Sequence, residues 1–366
     1  MAVYLIMLVL VVVFSVFATE YPTTKMITIS DQNGLQHVKV KKPNKFFVWL
    51  VFLCFAFVGA FRYDAGVDFY SYYKTQNWAS AFQRGEYSDP GFTIFANICS
   101  FVFGDINGAL TIGAAIVTTA LFVITIAKYS DQLTISMLLF VFIGCFTGMF
   151  NGVRQYLASA ILFAGHHYIV DKKIWKWSIV VVLASSIHIT AILMFFVYFI
   201  CNLKCDFKLV VGYSILAFIL LFLYEPLFDM ISTLKQKEVD SELSYMTTRV
   251  NVLRVIVQCV PLLMFLFVSK IKVNQDPECR FLFNICLLNA AISVAAMNSA
   301  YFSRFSIYLY TFQILMYPKL FSRMAKQNAQ ILSLLLIVCY CVYWMYSIDK
   351  DISLSVFKWI FPYLGN

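Results

Sequence analysis

The sequence predicts an all-α polytopic membrane protein, with about ten full transmembrane helices plus short or broken half-helices, and three observations carry that prediction. Hydrophobic residues make up 61% of the 366-residue chain and charged residues 13%, with a mean hydropathy of +0.78. No water-soluble core could absorb so much apolar content. Apolar runs of about twenty residues, the length that crosses a bilayer core, recur from end to end. Lysines collect in the loops between alternate runs, which is the signal that orients membrane helices. The net charge of +9 therefore reads as orientation and attraction to anionic membrane lipids, with no nucleic-acid partner implied. The ten cysteines are scattered, mostly inside apolar runs, without CxxC or Cys/His metal spacing, so they read as small core residues and no metal site is expected. The whole chain, 1–366, reads as a single integral membrane domain.

Taken in order, residues 2–18 are apolar but lack a basic n-region and an A-x-A cleavage site, so they are expected to be a retained span. Residues 19–45 carry Lys25, Lys39, Lys41, Lys42 and Lys45 and read as a cytoplasmic linker. The run 46–60 returns outward to 61–73, FRYDAGVDFYSYY, the start of a periplasmic loop covering about 62–107. Within it, 91–103 is too short at about 1.5 Å per residue to cross a core of roughly 30 Å and is expected to be a half-span. Full spans are expected at 109–127, 133–150 and 153–170, after which Lys172, Lys173 and Lys176 return the chain to the cytoplasm.

A single helix over 177–201 would break the charge rule, because Lys204 and Lys208 would then lie outside. A split at Ser185-Ser186-Ile187-His188 removes the conflict: one half-helix rises and the other descends. Such breaks are tolerated where they line a polar cavity. Spans at 209–224, 251–268, 281–296, 301–317 and 331–346 complete the set. A second periplasmic loop falls at about 225–250, and both termini lie outside.

This topology places fifteen of the twenty lysines inside, yet six of the eight arginines (Arg62, Arg84, Arg154, Arg249, Arg254 and Arg304) lie in or beside outside loops. Orientation signals explain lysine placement but not an arginine excess on the opposite side. Arginine presents a permanently charged planar fork that grips phosphate or carboxylate bidentately. Such forks at the ends of separate helices point to a large anionic ligand at the membrane surface. Asn151-Gly152-Val153-Arg154-Gln155 opens one span, with Asn151, Arg154 and Gln155 on one helical face. Arg304 opens another, with Tyr308 one turn below it, and Arg254 sits one turn inside its span, the place of a residue facing protein or a water-filled cavity. Arg62 and Asp64 flank the Gly-containing turn of 61–73. His166 and His167 fall near the cytoplasmic end, whereas His188 sits at the expected break on the outside face.

Arg62 with Gly66-Val67-Asp68-Phe69-Tyr70-Ser71-Tyr72-Tyr73 resembles the "R…G-t-D-y…Y" signature of EpsG-type membrane proteins, with Val67 where threonine or serine is usual. Asn151-Gly152-Val153-Arg154-Gln155 with Ala158 is similar to their "R-Q-x-x-A" motif, Ser185-Ser186-Ile187-His188 to "S-x-x-H", and Arg304 with Tyr308 to a late "R…Y" helix start. The likeness runs over roughly residues 55 to 320. It implies the polymerisation of bacterial surface polysaccharide, as in Wzy-type O-antigen or capsule polymerases of GT-C-like architecture. It also implies a place in the bacterial inner membrane and an active site facing the periplasm. Donor and acceptor would both be undecaprenyl-pyrophosphate-linked oligosaccharides, with no cofactor and with a chain-length regulator as a further partner.

On that reading the arginines stabilise the departing pyrophosphate. Asp68 orients the acceptor hydroxyl and takes its proton, and His188 supports the pocket. Tyr70, Tyr72, Tyr73 and Trp78 fit sugar stacking and a membrane belt equally well. An O-antigen ligase would use the same donor with another acceptor. A flippase or transporter of lipid-linked oligosaccharides would need inverted repeats and a charge path toward the cytoplasm, and the sequence shows neither.

Overall fold

The computed structural model describes residues 1–31, 34–234, 250–264 and 272–363. The first span is helix α1 (Ala2–Glu20), and its N-terminal ammonium donates to the carbonyl of Ser355 at 3.3 Å. The expected linker is instead an antiparallel ribbon, β1 (Thr23–Asp31) and β2 (Gly34–Lys42), in the register Thr23 opposite Lys42 through Asp31 opposite Gly34. Its cause is local. The sequence 23–29 is rich in threonine and isoleucine and 34–42 carries Val38 and Val40, residue types that favour strands, and Asn33-Gly34 is a strong hairpin signal in the sequence. The all-α expectation holds for the membrane body.

Helix α2 (Lys45–Ala60) starts at Asn44, whose side chain accepts from Phe46 N at 3.0 Å, and leads into the two-residue strand β3 (Arg62–Tyr63). Two short helices follow, α3 (Phe69–Tyr73) and α4 (Thr75–Ala79), then α5 (Pro90–Phe103), which matches the expected half-span. Helices α6 (Ala109–Tyr129), α7 (Leu133–Phe142), α8 (Cys145–Gly148), α9 (Val153–Gly165) and α10 (His167–Val170) make the next three passes. The chain continues through α11 (Ile174–Ile187), α12 (Met194–Ile200), α13 (Phe207–Leu234), α14 (Val252–Gln258), α15 (Val260–Met264) and α16 (Pro277–Ala295). It ends in α17 (Ala300–Ser303), α18 (Ile307–Tyr310), α19 (Gln313–Phe321), α20 (Lys326–Lys350), α21 (Ile352–Ser355) and β4 (Lys358–Trp359). The last strand pairs with β3, Arg62 opposite Trp359.

Among the described residues four helices, α1, α6, α16 and α20, are each long and apolar enough to cross a membrane unbroken. The passes expected to be continuous at 133–150, 251–268 and 301–317 are interrupted. The first stops at Gly144, whose φ of +88° is a left-handed conformation that glycine adopts without strain. The second is divided between α14 and α15, and residues 265–268 lie outside the described part. The third is divided among α17, a 3₁₀ turn, α18 and α19. Helix breaks inside a membrane leave carbonyls that neighbouring side chains must satisfy. Here Ser159 donates to Ile307 O at 3.2 Å, and Ser136 donates at 2.7 Å to Ile314 O, the carbonyl that Pro318 of the same helix cannot bond.

The break at His188 is present, with His188 extended at φ −154° between α11 and a 3₁₀ turn (Ile189–Leu193). The indole N–H of Trp177 donates to Met194 O at 3.2 Å. A straight helix would hold those residues about 25 Å apart, so α12 folds back along α11. Cys205 and Asn274 then exchange two hydrogen bonds at 2.8 and 2.7 Å, which brings the segment holding Lys204 beside that holding Lys272. The same end carries an ion cluster: Lys319 lies 2.6 Å from Glu278 and 3.5 Å from Asp131, and Arg323 pairs with Asp276. His166, which the sequence places near the cytoplasmic end, is fully buried there, 3.9 Å from Glu278.

One test reads this arrangement directly. Cysteines placed singly at Asp171 and Gln275 in a cysteine-free background should both resist a membrane-impermeant thiol reagent in spheroplasts, while one at Ser88 should react. Opposite behaviour of Asp171 and Gln275 would remove the fold-back.

Candidate functional site

Three chain segments converge at one point on the face that carries the termini. Asp89 precedes Pro90 at the start of α5, Arg154 opens α9, and His188 stands at the fold-back. Asp89 is 5% exposed. One of its carboxylate oxygens pairs with the Arg154 guanidinium. The other accepts from Ile189 N at 3.3 Å and lies 3.8 Å from Nδ1 of His188, an ion-pair separation rather than a hydrogen bond. Burial pushes the Asp89 carboxyl up, but His188 and Arg154 outweigh it and hold the group below its ordinary value.

Glycines permit this convergence. Gly91 has no room for a side chain because Ser186 of α11 packs directly on it. Gly66 has a φ of +103°, and a Cβ there would lie 2.5 Å from Phe150 O, so the 61–73 segment lies flat on the turn before α9. Asn151 fastens it, accepting from Val67 N at 2.5 Å. Arg154 is caged as well as paired: Nε donates to the Tyr72 hydroxyl at 3.3 Å, and the guanidinium lies 4.7 Å from the Trp78 ring, which stacks on Tyr72. Cation–π contact and a fixed fork leave this arginine with one orientation.

Of these groups Tyr72, Asn151, Arg154 and His188 line a cavity of about 570 Å³, within the usual range for a small-molecule site. Of the residues singled out in the sequence, Asp68, Asn151, Arg154, Gln155, His188, Arg254 and Arg304 line it. Arg62, Asp64 and Tyr308 do not. Arg62 is 2% exposed, donates to Gly59 O and lies 4.3 Å from the Phe150 ring centroid, packed behind the cavity. Asp64 pairs with Lys358 at 3.0 Å on the surface. Tyr308 is fully buried, its hydroxyl 2.8 Å from that of Thr190 in the fold-back. Arg249 lies outside the described residues.

Sequence reading missed Asp89, although Asp-Pro is a recognisable helix start, and missed the side of the cavity supplied by Tyr343, Lys350 and Asp351. Among the described residues no cluster of histidine, cysteine or carboxylate could hold a metal ion.

A multi-pass helical membrane protein with guanidinium groups gathered around a polar cavity at one face is the class that fold and site define. Over residues 45–363 the sequence matches the model of the EpsG family, and the chain belongs to that family. This makes it a membrane protein of the polysaccharide-polymerase type. The match leaves out α1 and the β1–β2 ribbon. No curated protein and no solved structure matches the chain.

Proposed function

We propose that the protein is a membrane glycosyltransferase that lengthens a surface polysaccharide. It transfers a glycan from a polyprenyl-pyrophosphate carrier to a sugar hydroxyl of the next lipid-linked unit, on the outer side of the bacterial cytoplasmic membrane. The observation that carries this reading is the meeting of Arg154, Arg254 and Arg304, from three separate passes, around one cavity with Asp68 and with His188, whose Nδ1 faces Asp89.

In the reaction the bond from the anomeric carbon to the pyrophosphate oxygen breaks and a bond from that carbon to the acceptor oxygen forms. Negative charge develops on the leaving pyrophosphate, where preorganised cations act most strongly. The acceptor hydroxyl gives up its proton. His188 is suited to take it: Nδ1 is buried toward the Asp89 carboxylate and the ring lines the cavity. A base held by a third group is the arrangement general-base catalysis favours. Asp68 also lines the cavity, but no hydrogen bond among the described residues fixes its carboxylate, so it is assigned to orienting the acceptor. This exchanges the roles expected from sequence. His188→Gln should lower polymer formation about a hundredfold or more, and Asp68→Asn should lower it less. The reverse order would restore Asp68 as the base.

The reading is tested by deleting the gene and separating the surface polysaccharide on a gel. Loss of the long polymer with a single repeat unit retained is expected. An unchanged polymer, or loss of the single repeat as well, would contradict it.

A further inference from the structure

One turn below Arg254 on the same helix, Gln258 is 4% exposed and lines the cavity. Its amide orientation follows from its neighbours. Oε1 accepts from Asn289 Nδ2 at 2.8 Å and from Gln313 Nε2 at 2.9 Å. Both donors are locked in turn: Asn289 Oδ1 accepts from the Ser306 hydroxyl at 2.6 Å, and Gln313 Oε1 from the Tyr340 hydroxyl at 3.0 Å. Reversing any one amide alone would set donor against donor or acceptor against acceptor, so the three amides are oriented as a set, here with Gln258 Oε1 toward its two neighbours. The remaining polar atom of Gln258, its NH₂, has no hydrogen-bond partner among the described residues, yet it is not among the side-chain atoms sealed away without one. It therefore faces the cavity.

We propose that Gln258 is a substrate-recognition residue, whose NH₂ donates to an uncharged oxygen of the bound saccharide. The proposal rests on the polymerase reading and adds to it a division of labour along α14. Arg254 offers a charge that suits phosphate. One turn deeper, at about 6 Å, Gln258 offers a neutral donor, which suits a sugar hydroxyl or carbonyl. Holding such a donor in a buried relay gives it selectivity, because a ligand lacking the matching oxygen leaves it without a partner.

The test uses the full-length protein restored to a gene-deletion strain, with polymer length on a gel, protein level and thermal unfolding of the purified protein as readouts. Gln258→Glu keeps the oxygen that both neighbouring amides need and replaces the cavity-facing donor with a charged acceptor. A purely structural Gln258 would show the change as lower protein level and unfolding temperature. Recognition predicts normal protein level and unfolding temperature with at least a tenfold loss of long polymer. Asn289→Asp is the second variant. It removes one of the two donors and draws the Gln258 NH₂ away from the cavity, so it should reproduce the loss without altering the cavity lining.

Full polymer in both variants overturns the proposal, and so does failure of Gln258→Glu to accumulate, since the deduced network leaves its fold intact. If the wild-type gene itself fails to restore polymer, the polymerase reading is what has failed.

Discussion

Replacing Asp89 with asparagine should lower polymer formation by about a hundredfold to a thousandfold, the range seen when one preorganised charge-stabilising group is lost. The side chain keeps its shape, and its oxygen can still accept from Ile189 N. What disappears is the negative charge that pairs with Arg154 and faces Nδ1 of His188. The new NH₂ would confront either a guanidinium donor or the imidazole. Arg154 is 27% exposed, so water reaches part of the abandoned guanidinium and the stability loss stays near 1–3 kcal/mol. Activity should therefore fall far more than unfolding temperature. Full-length polymer from Asp89→Asn at normal protein level would detach Asp89 from the chemistry.

Arg154→Lys should cost nearly as much, about a hundredfold, although it conserves the charge. Lysine cannot donate to Tyr72 and Asp89 at once in the geometry of the guanidinium, nor stack flat on Trp78. The control is Arg84→Lys. Arg84 pairs with Glu86 at 2.8 Å on an exposed surface, where an ion pair contributes little, and polymer length should not change. Polymer length compared at matched protein level decides the matter. A tolerated Arg154→Lys would mean that this residue supplies charge alone.

The parts of this architecture that a single stretch of sequence encodes could be read before the structure. The length of 91–103 marked α5 as a half-span, and the placement of Lys204 and Lys208 required the turn at His188. The interruptions in the passes at 133–150 and 301–317 could not be read so. Hydropathy sees only an unbroken apolar run, while the hydroxyls that make a break tolerable belong to other helices, as Ser159 does for Ile307. Asp89 was obscured for the same reason: its partners Arg154 and Ile189 lie 65 and 100 residues away. Arg62 misled because an arginine at the end of an apolar run looks the same whether it grips a ligand or, as here, a carbonyl of its own helix and the face of Phe150. The β1–β2 ribbon was legible in Asn33-Gly34 and its threonine-rich flank, but the lysines there drew attention to topology instead.

The closure of residues 355–360 on the first two passes sets an order in time. Met1 meets Ser355, β3 meets β4, and Ile360 N donates to Phe61 O at 2.8 Å, while Lys350, Asp351 and Leu354 supply one side of the cavity. The first two passes are thus finished only by residues 355–360. A nascent chain halted before α20 would hold Arg154, Asp89 and His188 beside an open flank, so the cavity becomes whole only once α20 and the segment that follows it have been made.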